Sequence, residues 1–298
     1  MIKIAVCICT RKRQDGLAGL LDSLEKATIP DATEVKIIIV ENDEANFSED
    51  LVKSRALKSK FRISYFLETR RGIVFARNRS IAEAGECDFC CFTDDDQVVS
   101  PDWISELLRC QKEFDADGVA GPTKPDFTKK VPSYIEKFHQ PDSYVYGTVV
   151  KTAFTGNLML RKKHLDKMDG PFDIRLNFSG GEDSNLTGRF SGLGGVIRFN
   201  PVAVAYESIS EDRATIRFVM KRCFRISNTR MVLNSMDNKS SKPIKELPRL
   251  ILRFCNGCLL LIPCLIFCKA NKLDGLIKIA RAVGGFAFFF GKRSQFYK

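Results

Sequence analysis

The first 120 residues alternate between short, wholly apolar runs and amphipathic helical patterns, and this alternation restricts the possible folds more than any other feature. Apolar runs without polar alternation are typical of strands covered on both faces. Alternating strands and helices predict an α/β fold with a mostly parallel central sheet flanked by helices. The predicted strands are residues 2–9, 35–40, 61–67 and 89–93, and the predicted helices are 17–24, 51–57, 73–84 and 101–108.

Three polar clusters follow predicted strands directly. They are Thr-Arg-Lys-Arg at 10–13, Glu-Asn-Asp at 41–43 and Asp-Asp-Asp at 94–96. The carboxyl ends of parallel strands share one edge of the sheet, and ligands of such folds bind there. We therefore expect the three clusters to converge on one crevice.

The triplet Asp94-Asp95-Asp96 is the most informative of these clusters. Adjacent carboxylates repel one another unless a cation lies among them. In an extended segment Asp94 and Asp96 would point to one side and Asp95 to the other. Oxygen ligands of this kind suit Mg²⁺ or Mn²⁺. A solvated turn or a helix cap before Pro101 is the alternative.

The second half of the chain has weaker periodicity. From about residue 122 the pattern is irregular, with a strand or turn predicted at 155–161, a helix at 183–191, short strands within 196–206 and a long basic helix at 213–233.

Positive charge is concentrated at the end of the chain. Residues 239–298 contain twelve Lys and Arg against two acidic residues, so this segment carries about +10 of the net charge of +11. These charges are interleaved with the apolar stretches 254–268 and 276–290. We predict a pair of helices at an anionic membrane surface rather than two full spans. The alternative is that the helices pack on the preceding α/β domain.

Two other classes of site are disfavoured by the sequence. Residues 1–238 show no basic stripe with interleaved aromatic residues, so no nucleic-acid partner is predicted. Cys255 and Cys258 have the spacing of a metal-binding pair, but the gap to the next cysteines is short and their neighbours are apolar. We therefore predict buried cysteines rather than zinc ligands.

Six short segments occur in an order that resembles the inverting family 2 glycosyltransferases, especially bacterial exopolysaccharide transferases of the succinoglycan type. The segments are residues 9–13, 40–43, 72–79, 92–96, 155–157 and 180–183. The resemblance covers about residues 2–230. It implies a GT-A fold, the Rossmann-like fold of nucleotide-diphospho-sugar transferases. The composition of residues 239–298 adds a C-terminal helical membrane-associating extension to this predicted fold.

The resemblance also implies roles in donor binding. Asp94 and Asp96 would hold Mg²⁺ or Mn²⁺ against the diphosphate of a nucleotide-sugar. The implied donor-binding residues are Thr10, Arg11, Glu41, Asp43, Arg77, Asp94, Asp95, Arg222 and Arg225. A loop or helix cap remains the alternative for residues 41–43, and solvated helix faces remain the alternative for the arginines.

On the acceptor side, the resemblance implies that Asp183 is the general base, with Glu182 orienting the acceptor. Inverting transfer needs one carboxylate to deprotonate the attacking hydroxyl. Acidic residues at a helix N-terminus are the structural alternative, and both can hold at once. Many relatives carry a histidine metal ligand further on; here either Glu207 substitutes for it or no third protein ligand exists. His139 and His164 are interpreted as structural.

The predicted organisation has a donor-binding half at 1–122, a half with the acceptor site and the base at 123–238, and a membrane-associated tail at 239–298. The predicted function is metal-dependent, inverting transfer of a hexose from a UDP-sugar to a glycan or lipid-linked oligosaccharide at the cytoplasmic face of the inner membrane. A sugar-1-phosphate nucleotidyltransferase and a non-catalytic sugar-binding or scaffold protein are the alternatives.

Overall fold

The apolar run at the start of the chain forms an interior strand of a large sheet, and both of its faces are covered. The computed structural model describes residues 1–236, 243–267 and 272–294. Its strands are β1 Ile2–Thr10, β2 Thr33–Glu41, β3 Arg62–Leu67, β4 Phe89–Asp94, β5 Gln97–Val99, β6 Gly118–Ala120, β7 Thr123–Phe127, β8 Val149–Val150, β9 Asn157–Arg161, β10 Ile197–Phe199 and β11 Ala205–Ile209.

The helices connect these strands, and among the residues described only helical elements follow the last strand. They are α1 Gln14–Glu25, α2 Glu49–Ala56, α3 Ile73–Glu83, α4 Trp103–Phe114, α5 Ser133–His139, α6 Lys162–Leu165, α7 Glu182–Gly192, α8 Ile216–Met236, α9 Leu247–Phe267 and α10 Lys272–Phe289. Two short 3₁₀ turns span Ile174–Leu176 and Pro243–Glu246.

These described elements form two compact units. The first consists of residues 1–126, 140–177 and 182–208, and the second of residues 127–139, 178–181 and 209–298 as far as they are described. The functional boundaries predicted at 122 and 238 stay predictions. The structural units differ from them in grouping α8 with the C-terminal helices.

The first unit is built on an eight-stranded sheet with the order β3-β2-β1-β4-β9-β6-β10-β8. Strands β3, β2, β1 and β4 are parallel, as the sequence predicted. Strand β9 runs antiparallel between β4 and β6, and β8 pairs antiparallel with β10. A second, three-stranded sheet has the order β5-β11-β7.

The two faces of β1 explain why its sequence shows no polar alternation. Ile4, Val6 and Ile8 belong to one apolar cluster, which also contains buried leucines of α1 and α4. Ala5 and Cys7 belong to a second cluster with residues of α3 and α7 on the other face. Burying each large aliphatic side chain contributes about 1.5–3 kcal/mol, so both helical layers hold the strand in place.

The second unit is mainly helical. Its apolar cluster joins Ile135 of α5 with Val219 and Cys223 of α8 and Ala280 of α10. The predicted helix at 213–233 is observed as α8, which begins and ends three residues later. The C-terminal helices predicted from the composition of residues 239–298 are present as α9 and α10.

Two observations concern the C-terminal segment directly. In the described part of the chain, none of the helices combines the length and apolar character needed to cross a membrane. The prediction that Cys255 and Cys258 are buried is wrong, because both thiols are exposed on α9. Helix α9 turns Gly257 towards α10, which leaves these cysteines on its outer side.

Candidate active site

The carboxyl ends of the parallel strands bring the three polar clusters together, as predicted. Thr10 pairs in register with Glu41 across β1 and β2. On the other side of β1, Cys9 pairs with Asp94 of β4. The convergence needs no long loops, since each cluster begins where its strand ends.

The acidic triplet forms the turn between β4 and β5, with Asp95 and Asp96 at its tip. The alternation expected for an extended segment therefore does not apply, and the three side chains differ in how far they are exposed. The Asp94 and Asp96 side chains are 43% and 24% exposed, whereas Asp95 is 6% exposed. The first two can reach a solvated ion and Asp95 cannot.

Asp95 is held by partners from the first cluster. The Thr10 hydroxyl donates to Asp95 Oδ2 at 2.8 Å, and Arg13 Nη1 donates to Asp95 Oδ1 at 3.0 Å. Arg13 also reaches Asp96 Oδ2 at 3.2 Å. Asp95 thus ties the end of β1 to the acidic turn, and the predicted donor contacts of Thr10 and Asp95 stay predictions.

Gln97 supports the turn, a role that the sequence did not reveal. This buried side chain accepts from the Thr93 hydroxyl at 2.8 Å and from the Asp94 amide at 3.2 Å. Gly156 lies against it, because a Cβ there would be 2.7 Å from Gln97 Nε2 and 3.0 Å from Asp94 Oδ2. Glutamine is common on surfaces, so only its position after the triplet hinted at this role.

Glu41 has a structural position at the end of β2. Its side chain is fully buried, with Oε1 accepting from the Lys12 amide at 2.9 Å and Oε2 from the Ser48 amide at 3.1 Å. Asp43 is paired with Arg11 at 3.0 Å and with Lys12 at 3.3 Å. Hydrogen bonding to the Glu44 amide and to these cations lowers the pKa of Asp43.

Two buried asparagines fix the loop that precedes α3. Asn42 donates to the carbonyls of Glu68 and Arg70 and accepts from the Gly72 amide at 2.8 Å. Gly72 has a φ of 127°, and a Cβ there would fall 2.0 Å from Asn177 Oδ1. Only glycine fits this position, and it sets the start of the helix that carries Arg77.

Arg77 connects the acidic turn to the predicted base. Its guanidinium is almost fully buried and donates from Nη1 to Glu182 Oε1 at 2.8 Å and to Asp183 Oδ1 at 2.7 Å. Its Nη2 lies 3.4 Å from Asp94 Oδ1. One cation therefore contacts carboxylates of β4 and α7. The predicted phosphate contact of Arg77 stays a prediction.

Thr155 is a second partner of Asp183. Its hydroxyl donates to Asp183 Oδ1 at 2.8 Å. The next residue, Gly156, lies against Asp94, so this short loop contacts both carboxylates. The sequence placed Thr155 in a motif but offered no role for it.

Burial and mutual repulsion set the protonation of the site. Desolvation raises the pKa of Asp94 to about 7, opposed by Arg77 and reinforced by Asp96 and Asp183. Desolvation and then the charge of Asp183 raise the pKa of Glu182, again opposed by Arg77. Desolvation also raises the pKa of Asp95 against the effect of Arg13. The cluster is rich in negative charge and would gain from a further cation.

The remaining candidate residues are on α5, α6, α8 and β11. Arg222 and Arg225 are on α8 in the second unit, and their predicted donor contacts stay predictions. Glu207 lies on β11 opposite Gln97 of β5.

His164 is buried, with Nε2 3.0 Å from Asp117 Oδ1, and His139 stacks on Phe218 within the second unit. Both histidines have the surroundings of structural residues.

The residues present suit a hard divalent ion whose coordination is completed by other ligands. Asp94 and Asp96 offer oxygen ligands with exposed surface, and the missing side chain at Gly156 leaves space beside Asp94. No cluster of three or more His, Cys, Asp or Glu that could hold a metal occurs among residues 1–236, 243–267 and 272–294. Mg²⁺ and Mn²⁺ commonly accept one or two carboxylates together with phosphate oxygens and water.

Comparisons with known proteins agree with this arrangement. The chain is 30% identical over 230 residues to the succinoglycan biosynthesis protein ExoM of Rhizobium meliloti (strain 1021), covering 76% of this chain and 74% of that protein.

Solved structures share the fold at lower identity. TarS 1–349 of S. aureus in complex with UDP matches with a TM-score of 0.55 and 16% identity, over 98% of this chain and 92% of that one. The mannosyltransferase PcManGT from Pyrobaculum calidifontis, in complex with GDP-Man and Mn²⁺, matches with a TM-score of 0.67 and 12% identity, over 97% of this chain and 87% of that one.

The sequence itself matches the family model for glycosyl transferase family 2 over residues 5–192, a range that contains the acidic turn, Arg77 and Asp183. The strand order, the acidic turn and the family match agree, and the chain belongs to glycosyl transferase family 2 and is a glycosyltransferase with the GT-A fold.

Proposed function

We propose that this protein is a metal-dependent, inverting hexosyltransferase that uses a UDP-sugar and a lipid-linked oligosaccharide acceptor. The observation that carries the proposal is the position of Arg77 between Asp94 and Asp183. A candidate ion ligand and a candidate base are both within reach of one guanidinium. That spacing suits a reaction in which a leaving group departs and a hydroxyl attacks at one carbon.

In this proposal Asp94 and Asp96 hold Mg²⁺ or Mn²⁺, which as a Lewis acid would stabilise the departing diphosphate. Asp183 accepts the proton of the acceptor hydroxyl as that oxygen forms a bond to C1 of the sugar. The bond between C1 and the diphosphate oxygen breaks, and UDP leaves with the electron pair. Attack from the face opposite the leaving group inverts C1.

The remaining residues bind and orient. Arg77 and Thr155 fix the Asp183 carboxylate through hydrogen bonds of 2.7 and 2.8 Å. Glu182, at the same end of α7, was expected to orient the acceptor; because its side chain is only 4% exposed and is paired with Arg77, it acts in this proposal by positioning Arg77. Thr10, Arg11 and Asp43 border the donor site, and buried Glu41 acts by shaping the two loops whose amides it binds.

The choice of donor and acceptor has independent support. TarS structures were solved with UDP and with UDP-GlcNAc, which favours a uridine nucleotide here. The relative ExoM is named for succinoglycan biosynthesis, which favours the synthesis of a bacterial cell-surface polysaccharide. A lipid-linked acceptor would be reached at the cytoplasmic face of the inner membrane, where the basic segment 239–298 would contact the surface.

The test is a panel of UDP- and GDP-sugars, including GDP-mannose, in which nucleotide release is measured with Mn²⁺, with Mg²⁺ and with EDTA. We expect metal-dependent turnover of a UDP-sugar. Removal of a general base costs about 10²–10⁴ in rate, so Asp183→Asn should lower turnover by that factor while UDP binding in calorimetry stays close to wild type.

Two controls make the assay specific. Asp50→Asn changes an exposed carboxylate on α2 and should leave turnover unchanged. Asp96→Ala should weaken UDP binding only when the metal is present. Turnover that persists in EDTA would refute the metal requirement, and full turnover by Asp183→Asn would refute the assignment of the base.

A further inference from the structure

Helix α9 approaches α10 closely at two glycines, and Leu250 and Leu261 of α9 also pack against glycines of α10. A Cβ at Gly257 would lie 3.0 Å from the Gly275 carbonyl oxygen and 2.7 Å from Ile279 Cγ1. A Cβ at Gly275 would lie 3.0 Å from the Gly257 carbonyl oxygen. The two backbones therefore meet closely at this crossing.

Other large apolar side chains of α9 lie on its outer side. Ile251, Leu252 and Leu259 are 50%, 63% and 60% exposed, and Cys255 and Cys258 are also exposed. At about 100° per residue, these five positions fall within an arc of about 120°. We call them the α9 stripe. A contiguous row of exposed apolar side chains on one face of a helix is typical of helices that contact lipid.

Arginines flank one side of the α9 stripe. Arg249 and Arg253 lie about 60° and 100° around the helix from Leu252. Burial lowers the pKa of Arg253, and the positive charges of Arg281 and Arg230 lower it further. Glu246, paired with Arg249 at 3.1 Å, is the acidic residue of the group. The local charge is thus strongly positive beside an apolar surface.

We propose that α9 lies along an anionic membrane surface, with the α9 stripe in the acyl boundary and the flanking arginines at the level of the lipid phosphates. Long basic side chains reach phosphates while their stems stay in apolar surroundings. This arrangement is that of an interfacial amphipathic helix. A second copy of the chain is disfavoured as the occupant, because it would bring the same arginines together. The inference deepens the membrane location within the proposed function, and it identifies the partner and the face.

The test is co-sedimentation of the full chain with phosphatidylcholine vesicles and with vesicles containing 30% phosphatidylglycerol. Wild type should pellet with the anionic vesicles. The double variant Leu252→Glu/Leu259→Glu should lower the partition coefficient at least about a hundredfold. Arg249→Gln and Arg253→Gln should each lower it about fivefold on anionic vesicles and leave binding to neutral vesicles unchanged.

Leu57→Glu is the matched control, since Leu57 is 88% exposed in the first unit and outside the stripe. Circular dichroism should show the same helix content in all variants. Two results would overturn the proposal: equal binding by the double variant, or a wild-type dimer in light scattering that the double variant dissociates. Asp183→Asn should bind vesicles normally. Wild-type protein that releases nucleotide normally but does not bind anionic vesicles would overturn this inference alone, and wild-type protein that binds the vesicles but releases no nucleotide would overturn the proposed function alone.

Discussion

Replacing Arg77 with glutamine should both destabilise the protein and change how its stability depends on pH. Arg77 is the cation that neutralises Glu182, whose side chain is only 4% exposed. Without it, the Glu182 carboxylate must stay charged in a buried position or take up a proton. The Asp183 carboxylate is 18% exposed and can recover water, and Asp94 is the most distant of these three carboxylates from Arg77, at 3.4 Å, so Glu182 dominates the cost.

The size of the effect follows from the protonation of Glu182. Its ordinary pKa is 4.5, and each pH unit corresponds to about 1.4 kcal/mol, so protonation at pH 7 costs about 3.4 kcal/mol. This value is an upper limit, since the variant also avoids burying the guanidinium. Broken buried ion pairs cost about 3–5 kcal/mol in other proteins. We expect Arg77→Gln to lose about 2–3 kcal/mol at pH 7.

The pH dependence has a definite sign. Burial raises the pKa of Glu182 above its unfolded-state value, so the folded state takes up the proton first as the pH falls. The penalty for the missing arginine is therefore largest at high pH, falls to about 0.7 kcal/mol at pH 5, and vanishes below the ordinary carboxyl value. The deficit of the variant should shrink steadily between pH 7 and pH 5.

Urea unfolding at pH 5, 6 and 7 would measure this deficit. Arg79→Gln is the control, because Arg79 lies on the same helix but is 41% exposed and pairs with Glu83 one turn along. Its loss should cost less than about 0.5 kcal/mol at each pH. An Arg77→Gln variant as stable as wild type at pH 7, or a stability difference from wild type that grows as the pH falls, would refute the reasoning.

Three further predictions concern the site and its supports. Below the Asp94 pKa of about 7 an ion must displace a proton, so Mn²⁺ affinity measured by calorimetry should fall up to about tenfold per pH unit, and Asp94→Asn should abolish that dependence. Gly72→Ala should lower the free energy of unfolding in urea by more than about 2 kcal/mol, because the position has a positive φ and a Cβ would clash with Asn177. Gly188→Ala is the control and should be neutral or stabilising, because a Cβ there meets no atom within 4 Å. Gln97→Leu should cost about 1–3 kcal/mol and weaken metal-dependent UDP binding, because the Asp94 amide loses its acceptor; unchanged UDP binding would contradict a role in shaping the turn.

The strands and the edge at which the site forms were predictable from local patterns. Runs with both faces apolar identified β1, β2 and β4, and parallel pairing then required residues 10–13, 41–43 and 94–96 to share one edge. These inferences depend only on periodicity and on the direction of the chain. The metal, donor and acceptor assignments stay predictions.

Other features depend on partners that sequence proximity cannot indicate. Arg77 was predicted as a phosphate contact, but its carboxylate partner Asp183 is 106 residues away. Glu41 was predicted as a donor-binding residue from the family resemblance and its position after a strand. Only the tertiary structure shows that both of its carboxylate oxygens accept hydrogen bonds from loop amides. The exposure of Cys255 depended on which side of α9 faces α10, and two glycines decide that side.

The antiparallel insertion of β9 between β4 and β6 has a consequence for how the protein is made. Strand β6 does not pair with β4 directly; each pairs with β9, which is synthesised after both. A fragment ending at residue 122 would therefore carry an unpaired apolar edge along β4, of the kind that recruits other chains into aggregates. The predicted donor-binding half is thus not an autonomous folding unit. On the ribosome, its sheet can close only after residues 157–161 have emerged.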